Sequence, residues 1–273
     1  MGTTYSVDYD PTYVGPGEGT ADTQAGPSAA IWHNCPILQI LEDPGKGIIF
    51  WDDFLTPPVT PTETAENPAG VSGSYITITS DGAADIQNGG GLGGEVKLNP
   101  AASDKHCAMR AGGAIFDLST GHKPLWFEAR VKVGQIANAK GGFFVGLFEG
   151  IASTATSPIT ANGTMANENN VGFQVLEGDG DALVVSHGKA GASGNDVATA
   201  AATVAAGTYV KVGFKMANNA CEFFANGVLV KTVLASAAKF PEDLPLSPTF
   251  AAMGAAANTT GYFMDWWRVV QER

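Results

Sequence analysis

The chain has 273 residues, a net charge of −12 from Lys+Arg 15 against Asp+Glu 27, 15% charged residues and 35 glycines. This length supports a core that needs no disulfide or metal staple, and the acidity repels phosphate, which argues against nucleic-acid and anionic-membrane partners. Low charge with many Gly, Thr and Val predicts short strands joined by turns rather than helices.

Residues 1–46 are expected to form an extended N-terminal arm. Pro11, Pro16, Pro27, Pro36 and Pro44 alternate with Gly15, Gly17, Gly19 and Gly26, and no periodicity is sustained. Such a segment cannot build a core of its own. It carries an apolar patch, Ile31-Trp32 followed by Ile37-Leu38-Gln39-Ile40-Leu41. These residues have two possible docks, the chain's own domain or a neighbouring subunit. Met1 to Asp10 is polar and acidic, so no secretory signal is expected. No apolar run approaches the roughly 20 residues of a membrane span. Cys35, Cys107 and Cys221 are too few and too scattered for a disulfide framework or a zinc site, and are expected to be reduced thiols of a protein made in the cytoplasm.

Residues 47–273 are expected to be one all-β domain. Ile48-Ile49-Phe50-Trp51 opens it, and the Pro/Thr-rich stretch Leu55 to Ser74 is predicted to be a loop. Strands are expected at Tyr75 to Thr79, Ala84 to Gln87 and Gly94 to Leu98. Phe127-Glu128-Ala129-Arg130-Val131-Lys132-Val133 alternates with period two, which places the apolar members inward. Gly142-Phe143-Phe144-Val145-Gly146-Leu147-Phe148 is apolar on both faces and predicts a central strand. Asn170 to Leu176 and Ala182 to Ser186 flank a turn at Gly178-Asp179-Gly180. The low-complexity stretch Gly188 to Gly207 is predicted to be a surface excursion with one edge strand. Tyr209 to Met216 alternates again, and Asn226-Gly227 between two apolar runs predicts a tight hairpin. Tyr262 to Val270 is the expected last strand. The pattern as a whole predicts a β-sandwich or jelly roll.

The candidate sites are sparse. Glu177, Asp179 and Asp181 place three carboxylates in five residues, a weak Ca²⁺ candidate set against the simpler reading of a turn. His33, His106, His122 and His187 lack the spacing of zinc ligands, and Ser186-His187 lacks the context of a catalytic triad. Glu128 and Glu149 are isolated strand carboxylates, expected on solvated faces. Asp265 lies in an apolar strand and should pair with Arg268 or with the Trp51-Asp52-Asp53 segment. Trp126, Trp266 and Trp267 are expected mostly in the core, with sugar stacking as the alternative. No cofactor is expected.

The order of segments resembles the concanavalin A-like, LamG-type jelly roll. The segments are Phe50-Trp51-Asp52-Asp53-Phe54, the WFEARVKV strand from Trp126, GFFVGLFE from Gly142, NNVGFQVLEGDGDALVV from Asn169, GTYVKVGFKM from Gly207, CEFFANGVLVKT from Cys221 and YFMDWWRVVQ from Tyr262. They cover Ile48 to Gln271. Within that superfamily the chain looks most like structural and capsid-decoration proteins of tailed phages, which add an N-terminal arm to such a domain. The resemblance implies a non-enzymatic cement protein on the capsid exterior, with the major capsid protein as partner, a homotrimeric state, and arm residues Ile31, Trp32, Ile37, Leu38, Ile40 and Leu41 at the shell. A lectin-like module is the alternative. A glycoside hydrolase of this fold would need a Glu-x-Asp-x-x-Glu strand or a close variant, which the chain lacks.

Overall fold

The computed structural model describes residues 25–273 apart from 57, 59–68, 73–74, 80–84, 91–93, 101, 103–104, 112, 114, 119–122, 135–140, 150–156, 161–162, 177–179, 193–195, 198–199, 243 and 255–260. Two antiparallel sheets pack face to face, the arrangement of a jelly-roll β-sandwich.

The first sheet runs β15 (Val228–Leu234), β14 (Ala220–Ala225), β13 (Tyr209–Ala217), β7 (Leu125–Val133), β17 (Tyr262–Glu272), β5 (Val96–Asn99), β4 (Asp85–Asn88). β1 (Gly47–Asp52) pairs with the second half of β17, from Gly47 opposite Glu272 to Asp52 opposite Trp267. The second sheet runs β11 (Asp196–Val197), β10 (Ala182–Gly188), β9 (Asn170–Val175), β8 (Gly142–Glu149), β16 (Leu246–Met253), β6 (His106–Ala111), β3 (Tyr75–Thr79), β2 (Ala69–Ser72), and β12 (Ala202–Thr203) joins β10. The low-complexity stretch therefore contributes two two-residue strands, β11 and β12, rather than one.

Period-two alternation decides what lies between the sheets. Phe127, Ala129, Val131 and Val133 of β7 face the core as expected, together with Val210, Val212 and Phe214 of β13. Phe127 and Phe214 stack at 4.9 Å. β8 is flanked by β9 and β16 and its apolar residues are buried on both faces. At one end Phe50, Phe54, Tyr75 and Trp267 pack together; the Trp267 indole N–H donates to Tyr75 Oη at 3.3 Å and that hydroxyl donates to Asp52 Oδ2 at 2.5 Å. The β14–β15 turn has Asn226 at φ 47° and Gly227 at φ 75°, the left-handed pair that the Asn-Gly signal demands.

Asp265 corrects an expectation. The pairing of β17 with β7 shifts register between Met264 and Trp266, so Asp265 is the extra residue of a bulge. Its carboxylate meets Arg130 at 2.5 Å rather than Arg268 or the Trp51-Asp52-Asp53 segment. Asp265 follows the inward Met264 onto the outer face, where β7 presents its charged residues, and the bulge lets Trp266 share that face.

Candidate functional site

The outer face of the first sheet carries the residues that alternate with the core set: Trp126, Glu128, Arg130 and Lys132 on β7, Lys211, Gly213 and Lys215 on β13, and Arg268 and Val270 on β17. Residues 25–46 lie across one end of this face as a strap. It contains two short helices, α1 (Ala29–Trp32) and α2 (Ile37–Glu42), and a single 3-10 turn, Pro44–Lys46. Ile31 and Ile40 are 1% and 3% exposed and form a cluster with Trp126, Phe224 and Val270. Trp32, Cys35, Ile37 and Ile49 close its edges. Burying two isoleucines contributes about 3–6 kcal/mol before ordering costs.

Two glycines make room for these anchors. A Cβ at Gly213 would lie 2.6 Å from Ile31 Cδ1, and one at Gly47 would lie 2.6 Å from Ile40 Cδ1. The strap is thus a pair of knobs seated over bare backbone. The apolar arm residues therefore divide: Ile31 and Ile40 are consumed within the chain, while Leu38 and Leu41 remain about half exposed, at 48% and 52%. Burial pushes the Cys35 thiol up to about 12, aided by the charge of Glu272.

Beneath the strap lies a charged pair. Glu128, expected on a solvated face, is fully buried. Its carboxylate accepts from the Ser28 backbone N–H at 2.9 and 3.2 Å and from the Trp32 indole N–H at 2.6 Å. Lys211 is buried beside it and donates from Nζ to the Gly26 carbonyl at 2.9 Å. Desolvation raises the Glu128 pKa, opposed by the donors from Ser28 and Trp32 and by the Lys211 charge. The sheet supplies the charges and the strap supplies their hydrogen bonds. Sequence reasoning missed this because the partners lie about a hundred residues apart; the one local signal was the break in size alternation at Gly213.

The same face also carries a cation–aromatic array beside residues 25–46. Arg130 lies 3.9 Å from the Tyr209 ring centroid, and Lys132 lies 4.6 Å from Tyr209 and 4.4 Å from Phe263. Lys132 also meets Glu95 at 2.8 Å, and Tyr209 donates its hydroxyl to the same carboxylate. Burial and Glu95 push the Tyr209 pKa up. Arg268 stands between two indoles, 5.0 Å from Trp51 and 5.9 Å from Trp266.

The other candidates do not converge. Glu177 and Asp179 lie outside the described residues, and Asp181 is exposed. Among the described residues no three His, Cys, Asp or Glu side chains group as metal ligands. Ser186 and His187 point to opposite faces of β10; Ser186 Oγ donates to Asn170 Oδ1 at 3.3 Å and His187 packs near Phe240. His122 lies outside the described residues and His33 is exposed. Trp126 and Trp267 are buried, whereas Trp266 is half-buried and its indole N–H donates to the Ala25 carbonyl at 2.8 Å.

On the outer face of the second sheet, β9 presents Asn170, Gly172 and Gln174, which carry no carboxylate. Glu149 is half-buried rather than solvated. It accepts from the Asn169 N–H at 3.2 Å and hydrogen-bonds Glu168, whose pKa is raised by desolvation and by the Glu149 charge. No described helix is long and apolar enough to cross a membrane.

No family model and no curated protein sequence matches the chain. Solved structures do. An endo-1,3-β-glucanase from Streptomyces sioyaensis superposes with TM-score 0.54 at 15% identity, covering 83% of this chain and 96% of the enzyme. Peanut lectin with a nine-residue peptide gives TM-score 0.51 at 11% identity, covering 82% and 97%. The potassium-bound Emp46p carbohydrate recognition domain gives TM-score 0.51 at 10% identity, covering 72% and 88%. At these identities the likeness is one of fold, and it makes the chain a concanavalin A-like jelly roll.

Proposed function

We propose that the chain is a non-catalytic structural protein of a tailed-phage virion, made in the host cytoplasm and bound to the capsid exterior, where it cements neighbouring copies of the major capsid protein. The observation that supports this most directly is the division of the arm. Ile31 and Ile40 pin it to the sheet, while Leu38 and Leu41 face outward from α2 as apolar contacts with no described function inside the domain. A trimer would engage the shell with added avidity, and binding confined to assembled shells would stabilise them by mass action.

The reading is tested on particles. Antibody against the chain should label intact DNA-filled particles, and the double variant Leu38→Asp, Leu41→Asp should lower their occupancy while remaining folded. Antigen confined to particle-free fractions, or equal occupancy by the variant, would overturn it. A second reading, a carbohydrate-binding module, draws support from the half-exposed Trp51 beside the partly buried Trp266 and from neighbours named as a lectin and a carbohydrate recognition domain.

A further inference from the structure

We infer that Trp51, Arg268 and Trp266 form a binding site for an acidic sugar, with the ring stacked on Trp51 and its carboxylate or sulfate held by Arg268. This is independent of capsid binding. It also uses a different aromatic set from the one the sequence first offers, since Trp126 and Trp267 are buried.

The argument begins with cations. On the outer face of the first sheet Arg130 is matched by Asp265, Lys132 by Glu95 and Lys215 by Glu222. Lys211 is spent beneath the strap on Gly26 and faces Glu128. Arg268 has no ion pair among the described residues, and its cation–π contacts are with the two indoles. Asp52, next to Trp51, has both carboxylate oxygens engaged, one by the Phe54 N–H at 2.7 Å and the other by Tyr75. Asp53 is exposed and makes no ion pair with Arg268. Lys97, another cation of this face without an ion pair among the described residues, lies over Phe263; the planar fork of Arg268 fits a carboxylate or sulfate in a bidentate manner.

The aromatics decide what carries that anion. Trp51 is 50% exposed on β1, directly opposite Arg268 in register. Arg268 lies over one face of this indole, and the exposed half of the side chain is offered to the C–H face of a pyranose beside it. Trp266 holds the other flank and is itself fixed by the Ala25 carbonyl. Antiparallel strands support both walls, so little ordering cost remains on binding. A simple anion would not need the indoles, and a neutral sugar would not need the guanidinium.

The test titrates full-length protein with hyaluronan and oligogalacturonate fragments, with chondroitin sulfate fragments, and with neutral dextran oligosaccharides. Acidic fragments should bind in a salt-sensitive manner and dextran should not. Arg268→Gln and Trp51→Ala should each weaken binding about tenfold, the loss of one charge-assisted or stacking contact. Trp51→Phe should retain most of it, which separates loss of the platform from loss of the fold. Failure to bind any acidic fragment, equal binding of dextran, or wild-type affinity in Arg268→Gln would each overturn the inference.

Discussion

The Trp32 indole N–H donates to Glu128 Oε2 at 2.6 Å across 96 residues of sequence, joining the strap to the centre of β7. This is a charge-assisted bond in a buried setting, where removal of one partner costs more than an ordinary hydrogen bond because the carboxylate stays behind. Trp32→Phe keeps most of the ring volume and removes the donor. It should weaken strap docking by about 1.5–3 kcal/mol. Hydrogen exchange at α1 should rise by more than about tenfold in Trp32→Phe, while exchange in β7 and β13 stays unchanged. Uniform loss of protection across the sandwich would refute a local role.

The same carboxylate makes docking depend on pH. Burial of Glu128 under the closed strap pushes its carboxyl above the ordinary carboxylate range, desolvation being the largest influence on it. A raised closed-state pKa means the closed state binds its proton more tightly than the open one. The contribution to docking is therefore complete below the ordinary carboxylate range and is lost as pH rises through the raised value. Limited proteolysis within residues 25–46, measured with a protease whose activity on an unstructured peptide is calibrated at each pH, should quicken across that window. The pH dependence should disappear in Glu128→Gln. A wild-type strap that loosens as pH falls would contradict the sign.

Much of the fold can be read from residue alternation, and much of the candidate site cannot. Phe127 to Val133 and Tyr209 to Met216 show their inward faces by period two, and Asn226-Gly227 marks its hairpin by turn chemistry. β16 left no such trace: Leu246-Ser247-Pro248-Thr249-Phe250-Ala251-Ala252-Met253 has small residues and a proline. Pro248 is tolerated because pairing with β6 begins only at Thr249. Asn218 and Asn219, at φ 52° and 60°, turn β13 into β14 without a glycine. Glu128 looked like a surface residue because the sheet alone would leave it on the outer face. Only the strap buries it, and long-range covering of that kind has no local sequence signature.

Hydrolysis of β-glucans should stay at background for the purified protein. The residues of β9 that alternate with its core set are Asn170, Gly172 and Gln174, which carry no carboxylate. Attack on a sugar from one side and protonation from the other needs a pair of carboxyls, which that strand does not supply. Reducing-sugar assays on laminarin and agarose should not exceed those of a Glu149→Gln, Glu168→Gln control. Turnover that falls in the control would establish catalysis there.

Gly213 tests the seating of the strap itself. A Cβ there would meet Ile31 Cδ1 at 2.6 Å, the Phe127 carbonyl oxygen at 2.6 Å and Glu128 Cβ at 3.1 Å. The isoleucine tip can move away, but the carbonyl belongs to the β7 ladder and cannot do so without distorting it. Gly213→Ala should therefore destabilise the protein by about 1–3 kcal/mol through overpacking. Ile31→Ala alone should weaken docking by about 2–4 kcal/mol, because it empties a buried position. In the double variant the two losses should add to less than their sum, since removing the isoleucine tip relieves one of the clashes. Relief should be partial, because the carbonyl contact persists. Chemical denaturation of the four proteins, with strap exchange followed in parallel, reads both quantities. Strict additivity would show that Ile31 does not occupy the space above Gly213, and complete relief would show that the backbone contact carries no cost.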